Sequence, residues 1–285
     1  MYSEDVQKFL DETAAAEGGG RNLPRLIVPK IRLHGKEGKF YILERLESGK
    51  YAEEEKLLGA DRSDCFGGVI LRAAYYAQWK WKENAPFQMK TREFSGFTNE
   101  PIELLKTTFG ESSSTEVIRN FTDYAHFKSV VIKNDDLTNM PLPAPYDLHT
   151  VLYIWNFSRE GIVKYDFRGS SVSNWFDYTK KFTVFLPEAK SLLQVKTIFG
   201  AKPERNEKAG VDFYTGTFQA HALCSNEEME KIIPAYTQVK EYQEAWKSAI
   251  KKSNIVPPPM PMAMADISSM DMGIEPEIRL EDIPF

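Results

Sequence analysis

A mainly β fold with added helices (α+β) is what the sequence predicts, and three observations predict it. Runs of alternating apolar and polar residues, bounded by Gly, Pro, Asn and Asp, recur through the middle of the chain. Few stretches carry the three-to-four spacing of an amphipathic helix. The 285 residues are 42% hydrophobic and 13% aromatic, which is ample for a large core.

Taken in order, residues 1–20 read as a flexible acidic arm, a short helix opened by Ser3 and broken at Gly18-Gly19-Gly20. Residues 21–253 read as the folded domain. It opens with a hairpin, Arg25 to Leu33 and Lys39 to Leu46, turned at residues 34–38. Gly68 to Lys82 alternates with period two. Strict alternation places Val69, Leu71, Tyr75, Trp79 and Trp81 on a core face, and Arg72, Tyr76, Gln78, Lys80 and Lys82 on a cationic one. Gln88, Lys90, Arg92 and Phe94 fall together on the next strand.

Thr115 to Lys128 has helical spacing at Val117, Ile118, Phe121, Tyr124 and Ala125. After the Pro-rich loop Met140 to Pro145 comes a hairpin, His149 to Ser158 and Gly161 to Gly169, turned at Arg159-Glu160-Gly161. Val172 to Phe182 reads as a helix. Ser191 to Phe199 and Val211 to Leu223 form a second hairpin across a long loop holding Lys202, Arg205 and Lys208. A last helix starts at the capping box Ser225 to Glu228 and runs toward Lys252, with a break or kink expected at Pro234. Residues 254–280 are Pro- and Met-rich without periodicity, a disordered acidic linker, and residues 281–285 form its tip.

Several classes are excluded by counting. Two cysteines, Cys65 and Cys224, cannot build a disulfide framework or a four-cysteine zinc site, and they fit a reducing compartment. No run is apolar enough to span a membrane, and residues 1–20 lack the apolar core of a signal peptide. A soluble, cytoplasmic protein with no membrane partner is expected. No Gly-rich phosphate loop precedes Lys-Ser or Lys-Thr. His34, His126, His149 and His221 do not fall at metal-ligand spacings, and Asp135-Asp136 reads as loop or cap. The expectation is a non-enzyme without cofactor or metal.

The net charge of −5 is unevenly spread. Residues 266–285 hold six acids and one base, residues 1–20 hold five acids and one base, and the body between them holds 34 bases against 30 acids. A mildly basic body thus lies between acidic ends.

The chain finishes Arg279-Leu280-Glu281-Asp282-Ile283-Pro284-Phe285. This resembles the C-terminal tip of the bacterial single-stranded DNA-binding protein family, in which acidic residues and Ile-Pro-Phe follow a disordered linker. The middle, with Arg168-Gly169-Ser170-Ser171 after a hairpin and then Trp175, Phe176 and Tyr178, is similar to phage-encoded single-stranded DNA-binding proteins. The body is longer than the bacterial domain, and its linker is Pro/Met-rich where that family's is Gly/Gln-rich. The resemblance implies an elaborated oligonucleotide-binding barrel (an OB-fold) that coats single-stranded DNA in replication, recombination or repair, in a bacterial or phage-infected cell. It further implies that Glu281, Asp282, Ile283, Pro284 and Phe285 recruit replication and repair proteins. A homo-oligomer is compatible with it.

Binding single strands requires cations along the phosphates and flat rings beneath the bases. Alternation puts Tyr153, Trp155 and Phe157 opposite Leu152 and Ile154, so the first three are candidates for stacking if the other two fill the core. The cation candidates are Arg72, Lys80, Lys82, Lys90, Arg92, Lys164 and Arg168, with Tyr76 among them. Two other classes fit the same residues: a strand-annealing recombinase with the same tail, and a protein adaptor without DNA affinity.

Overall fold

In the computed structural model the described residues are 26–46, 51–52, 56–58, 64–79, 87–97, 100–108, 114–132, 146–207 and 210–252. The expected arm, linker and tip lie outside them. The strands are β1 (Lys30–Leu33), β2 (Phe40–Leu43), β3 (Lys56–Leu57), β4 (Cys65–Trp79), β5 (Phe87–Thr91), β6 (Ile102–Thr108), β7 (Ser114–Phe121), β8 (Tyr146–Asn156), β9 (Gly161–Arg168), β10 (Val195–Asn206) and β11 (Val211–Leu223). The helices are α1 (Tyr124–Ile132), α2 (Ser170–Phe185) and α3 (Asn226–Lys252). A mixed α+β architecture dominated by strands is therefore observed.

The barrel is not. Eleven strands form one open sheet in the order β3-β2-β1-β9-β8-β4-β5-β6-β7, and β10, which carries β11, joins at β4. β4 is the reason. Along one edge it pairs with β8 from Gly68 to Trp79. Its other edge is divided, with Cys65 to Val69 taken by β10 and Gln78 by Lys90 of β5. A sheet that branches at its longest strand does not bring its outer strands together, as barrel closure requires.

A β-bulge sits between Ile70 and Arg72 on β4. It corrects the strict alternation read from the sequence, because one extra residue reverses the phase of everything beyond it. Val69 and Leu71 share a cluster with Ala74, Val151 and Tyr153, whereas Tyr75, Ala77 and Trp79 pack in another with Met89, Phe94 and Phe127. On β8 the alternation holds. Leu152 and Ile154 join a core with Phe40, Phe66, Tyr165 and Trp175 of α2, while Val151 and Tyr153 face the other way.

That second face is covered by α3. Ile232, Ala235 and Val239, at helical spacing, pack against Val69, Leu71 and Tyr153, and Ile232 and Val239 are fully buried. Burying each such side chain contributes about 1.5–3 kcal/mol. The capping box forms as read: Ser225 Oγ accepts from the Glu228 amide at 3.2 Å, and Glu228 Oε2 accepts from the Ser225 amide at 2.8 Å. The helix continues through Pro234 instead of ending there. The hydrogen bond that proline forfeits is offset by the buried residues on either side of it.

The two hairpins, β1–β2 and β8–β9, and helix α2 also match the reading. The helix expected over Thr115 to Lys128 is corrected. Residues 114–121 form β7, paired from Phe121 to Ile102 of β6, and the helix begins only after Asp123, whose carboxylate accepts from the His126 amide at 2.8 Å. Pairing with β6 outweighed a spacing that suited either structure. β10 and β11 extend through the expected loop, so Lys202 and Arg205 are strand residues, paired with Glu204 at 3.0 Å and Asp212 at 3.4 Å.

Candidate nucleic-acid interface

A cleft of about 410 Å³ lies between the C-terminal half of α3 and the sheet residues of β1, β4, β5 and β9. The strands deliver Lys30, Tyr76, Lys90 and Lys164 to it, Arg92 and Glu93 follow β5, and α3 supplies Tyr242, Gln243, Trp246 and Lys247. Four candidates from three separate stretches of sequence, Tyr76, Lys90 with Arg92, and Lys164, therefore meet in one place.

Two carboxylates organise the floor. Asp166 Oδ2 accepts from Lys30 Nζ at 3.0 Å and from Tyr76 Oη at 2.8 Å, and its Oδ1 lies 3.0 Å from His149 Nδ1. Burial works against its ionisation, but the His149 hydrogen bond, the Lys30 charge and the Tyr76 hydroxyl more than offset that and hold the carboxyl well below the usual range. Tyr76 also stacks on His149, centroids 4.5 Å apart, and its phenol is pushed far up by burial and by Asp166. Glu93 accepts from Tyr153 Oη at 2.7 Å and pairs with Lys164. Burial alone would lower the Lys164 ammonium, yet the charge and hydrogen bond of Glu93 carry it above its ordinary value.

The roof is aromatic and charged. The Arg92 guanidinium lies over the Trp246 ring at 3.9 Å, and its Nε donates to the buried Glu103 carboxylate at 2.7 Å. Lys247 lies 3.7 Å from Glu100 and 3.4 Å from Glu244. Five cations line the cleft (Lys30, Lys90, Arg92, Lys164, Lys247) with three carboxylates (Glu93, Glu100, Asp166), while Glu103 and Glu244 pair with Arg92 and Lys247 from outside the lining. Rings from both walls among clustered cations suit a stacked base beside a phosphate.

The other candidates are placed elsewhere. Arg72 is turned into the α3 interface, donating to Gln243 Oε1 and, at 3.4 Å, to Tyr236 Oη. Tyr153 is buried at 2% exposure beneath α3, and Trp155 and Phe157 pack half-buried against the same cluster. The expectation that Tyr153 stands open to bases is thus corrected, because it lies in a second core on the face opposite Leu152 and Ile154; Trp155 and Phe157 border that core and remain part-exposed. Phe94 lines the cleft with Lys90, but its ring is buried against Tyr75 and Phe97. Arg168 is exposed and paired with Asp147 at 2.8 Å. Lys80, Lys82 and Lys208 lie outside the described residues.

Sequence reasoning missed Lys30, Tyr242, Gln243, Trp246 and Lys247. A signal existed for part of this set, since Val239, Gln243, Trp246 and Ile250 recur at helical spacing and mark the face that α3 turns toward the sheet. Among the described residues no group of three His, Cys, Asp or Glu could hold a metal ion, and no helix is long and apolar enough to cross a membrane. No protein-family model, curated protein or solved structure matches the chain.

Proposed function

We propose that this chain is a non-catalytic single-stranded DNA-binding protein that holds a strand in the cleft between its sheet and α3, and recruits replication or repair proteins through residues 281–285. One observation carries the reading: Tyr76, Lys90, Arg92 and Lys164 line a single cleft with Tyr242 and Trp246 beside them. Cations supply affinity without sequence preference, and flat side chains accept any base. The acidic Ile-Pro-Phe tip agrees with it, as a short apolar and anionic element suited to a pocket with a basic rim.

The test is anisotropy of labelled oligothymidine titrated with the full chain across a salt series and against duplex competitor. Binding that prefers the single strand and weakens steeply with salt supports the reading. Affinity unchanged between low and high salt refutes it. A protein adaptor without DNA affinity is the second reading, favoured by the burial of Tyr153 and by the carboxylate partners of Lys164 and Arg168. It takes first place if the full chain binds no oligothymidine at any salt.

A further inference from the structure

We propose that the cleft contains a phosphate-binding site centred on Lys90, completed by neutral N–H donors from Gln243 and Trp246 of α3. The inference deepens the reading above and rests on it only for the source of the phosphate. Partner accounting carries it. Of the five cations lining the cleft, Lys30 is matched by Asp166, Arg92 by Glu103, Lys164 by Glu93, and Lys247 by Glu100 and Glu244. Lys90 alone has no carboxylate within ion-pair distance among the described residues.

Two more groups on the lining are unmatched. The Gln243 side-chain nitrogen and the Trp246 indole nitrogen are buried without a hydrogen-bond partner. Arg72 donates to the Gln243 oxygen, which fixes the amide orientation and leaves the NH2 end over. Every unmatched buried side-chain polar atom on the cleft lining is therefore a donor, and a half-buried ammonium accompanies them. Buried donors left over in this way mark a place where acceptors belong.

The complementary ligand is an anion made of acceptors. A tetrahedral phosphate carries three or more accepting oxygens, enough for several donors, whereas a carboxylate carries two. The volume of about 410 Å³ exceeds a lone phosphate and leaves room for an attached nucleoside beside Tyr242 and Trp246. The ammonium itself is primed for this. Burial lowers its pKa first, the Lys164 charge next and Lys30 further, while Glu93 and Asp166 relieve it only in part. Such a cation gains more from an incoming anion than a solvated one does.

Three full-length proteins test the site: the parent, Lys90→Met and Trp246→Phe, the last keeping a ring but losing the N–H. Inorganic phosphate at constant ionic strength is expected to raise the parent's unfolding temperature saturably. Phosphate also stabilises proteins without binding, so the readout is the saturable part that the variant loses. It should vanish in Lys90→Met, which unfolds no earlier than the parent, and require several-fold more phosphate in Trp246→Phe. In parallel, labelled oligothymidine should bind Lys90→Met at least about ten-fold more weakly, with a salt slope reduced by about one contact.

Loss of both responses in Lys90→Met supports the site with a strand as its source. Loss of the phosphate response with oligothymidine binding unchanged supports the site with a free phosphate or nucleotide as its source. Equal, saturable phosphate responses in the parent and Lys90→Met overturn the site. A parent that responds to phosphate but binds no oligothymidine overturns the single-strand reading and leaves the site standing.

Discussion

Replacing Asp166 with Asn tests the organisation of the cleft and its role at once. The carboxylate is buried, with 9% of its side chain exposed, and it serves Lys30, Tyr76 and His149 together. Asn keeps the shape and one accepting oxygen. It removes the charge opposite Lys30 and turns an NH2 toward groups that are themselves placed to donate. Disrupting a buried, hydrogen-bonded ion pair costs about 3 kcal/mol, which for a chain of this size lowers the unfolding temperature by roughly 6–10 °C.

The sign of the pH dependence follows from the depressed carboxyl. Its folded-state pKa lies below the ordinary 3.8, so the stabilisation is complete above that value and is lost as pH falls through the folded pKa. Urea denaturation of parent and Asp166→Asn at pH 7 should show the full difference, and the gap should narrow as the pH is taken below about 4. The effect on binding runs the other way. Releasing Lys30 frees a second unmatched cation in the cleft beside Lys90, so oligothymidine should bind about three- to five-fold more tightly at low salt. A stability difference under about 0.5 kcal/mol, or one that stays constant as pH falls to 3, would refute the electrostatic argument. Lower stability without any gain in affinity would detach the cleft from DNA binding.

Ser225→Ala removes the side-chain half of the capping box and should cost about 1 kcal/mol in urea denaturation, with the helix still formed. Gly68→Ala places a Cβ 2.5 Å from the Ile154 methyl and 2.8 Å from the Trp155 carbonyl, so the β4–β8 pairing must shift; a loss of about 2 kcal/mol or more is expected by thermal unfolding. Deleting residues 281–285 should leave oligothymidine affinity equal or higher while abolishing capture of replication proteins, and weaker DNA binding by anisotropy would contradict that division of labour. Phosphate binding should strengthen as pH falls through the depressed Lys90 pKa, because the bound anion favours the charged ammonium; isothermal titration at two alkaline pH values reads this directly. The groups facing that ammonium, Lys164, Glu93, Asp166 and Lys30, keep their charges in Lys90→Met, so only Lys90 should account for the difference.

What the sequence by itself determined is local. The β8–β9 hairpin, the capping box at Ser225 and the helix after Gly169 are specified by residues a few positions apart, whose turn chemistry, side-chain hydrogen bonds and periodicity act within one element. The sequence also identified Tyr76, Lys90, Arg92 and Lys164 by residue type. The tertiary structure decided which of the candidates meet and which are covered. Lys30 and Asp166 are 136 residues apart, Arg72 and Gln243 are 171 apart, and no local pattern links them. The bulge at Ile70 to Arg72 reversed a face that strict alternation assigned, because a ladder tolerates an extra residue that a period cannot show. The packing of α3 on the sheet turned Tyr153 from an expected stacking platform into core: an alternating strand states that it has two faces, and only the elements packed against it decide which faces are dry.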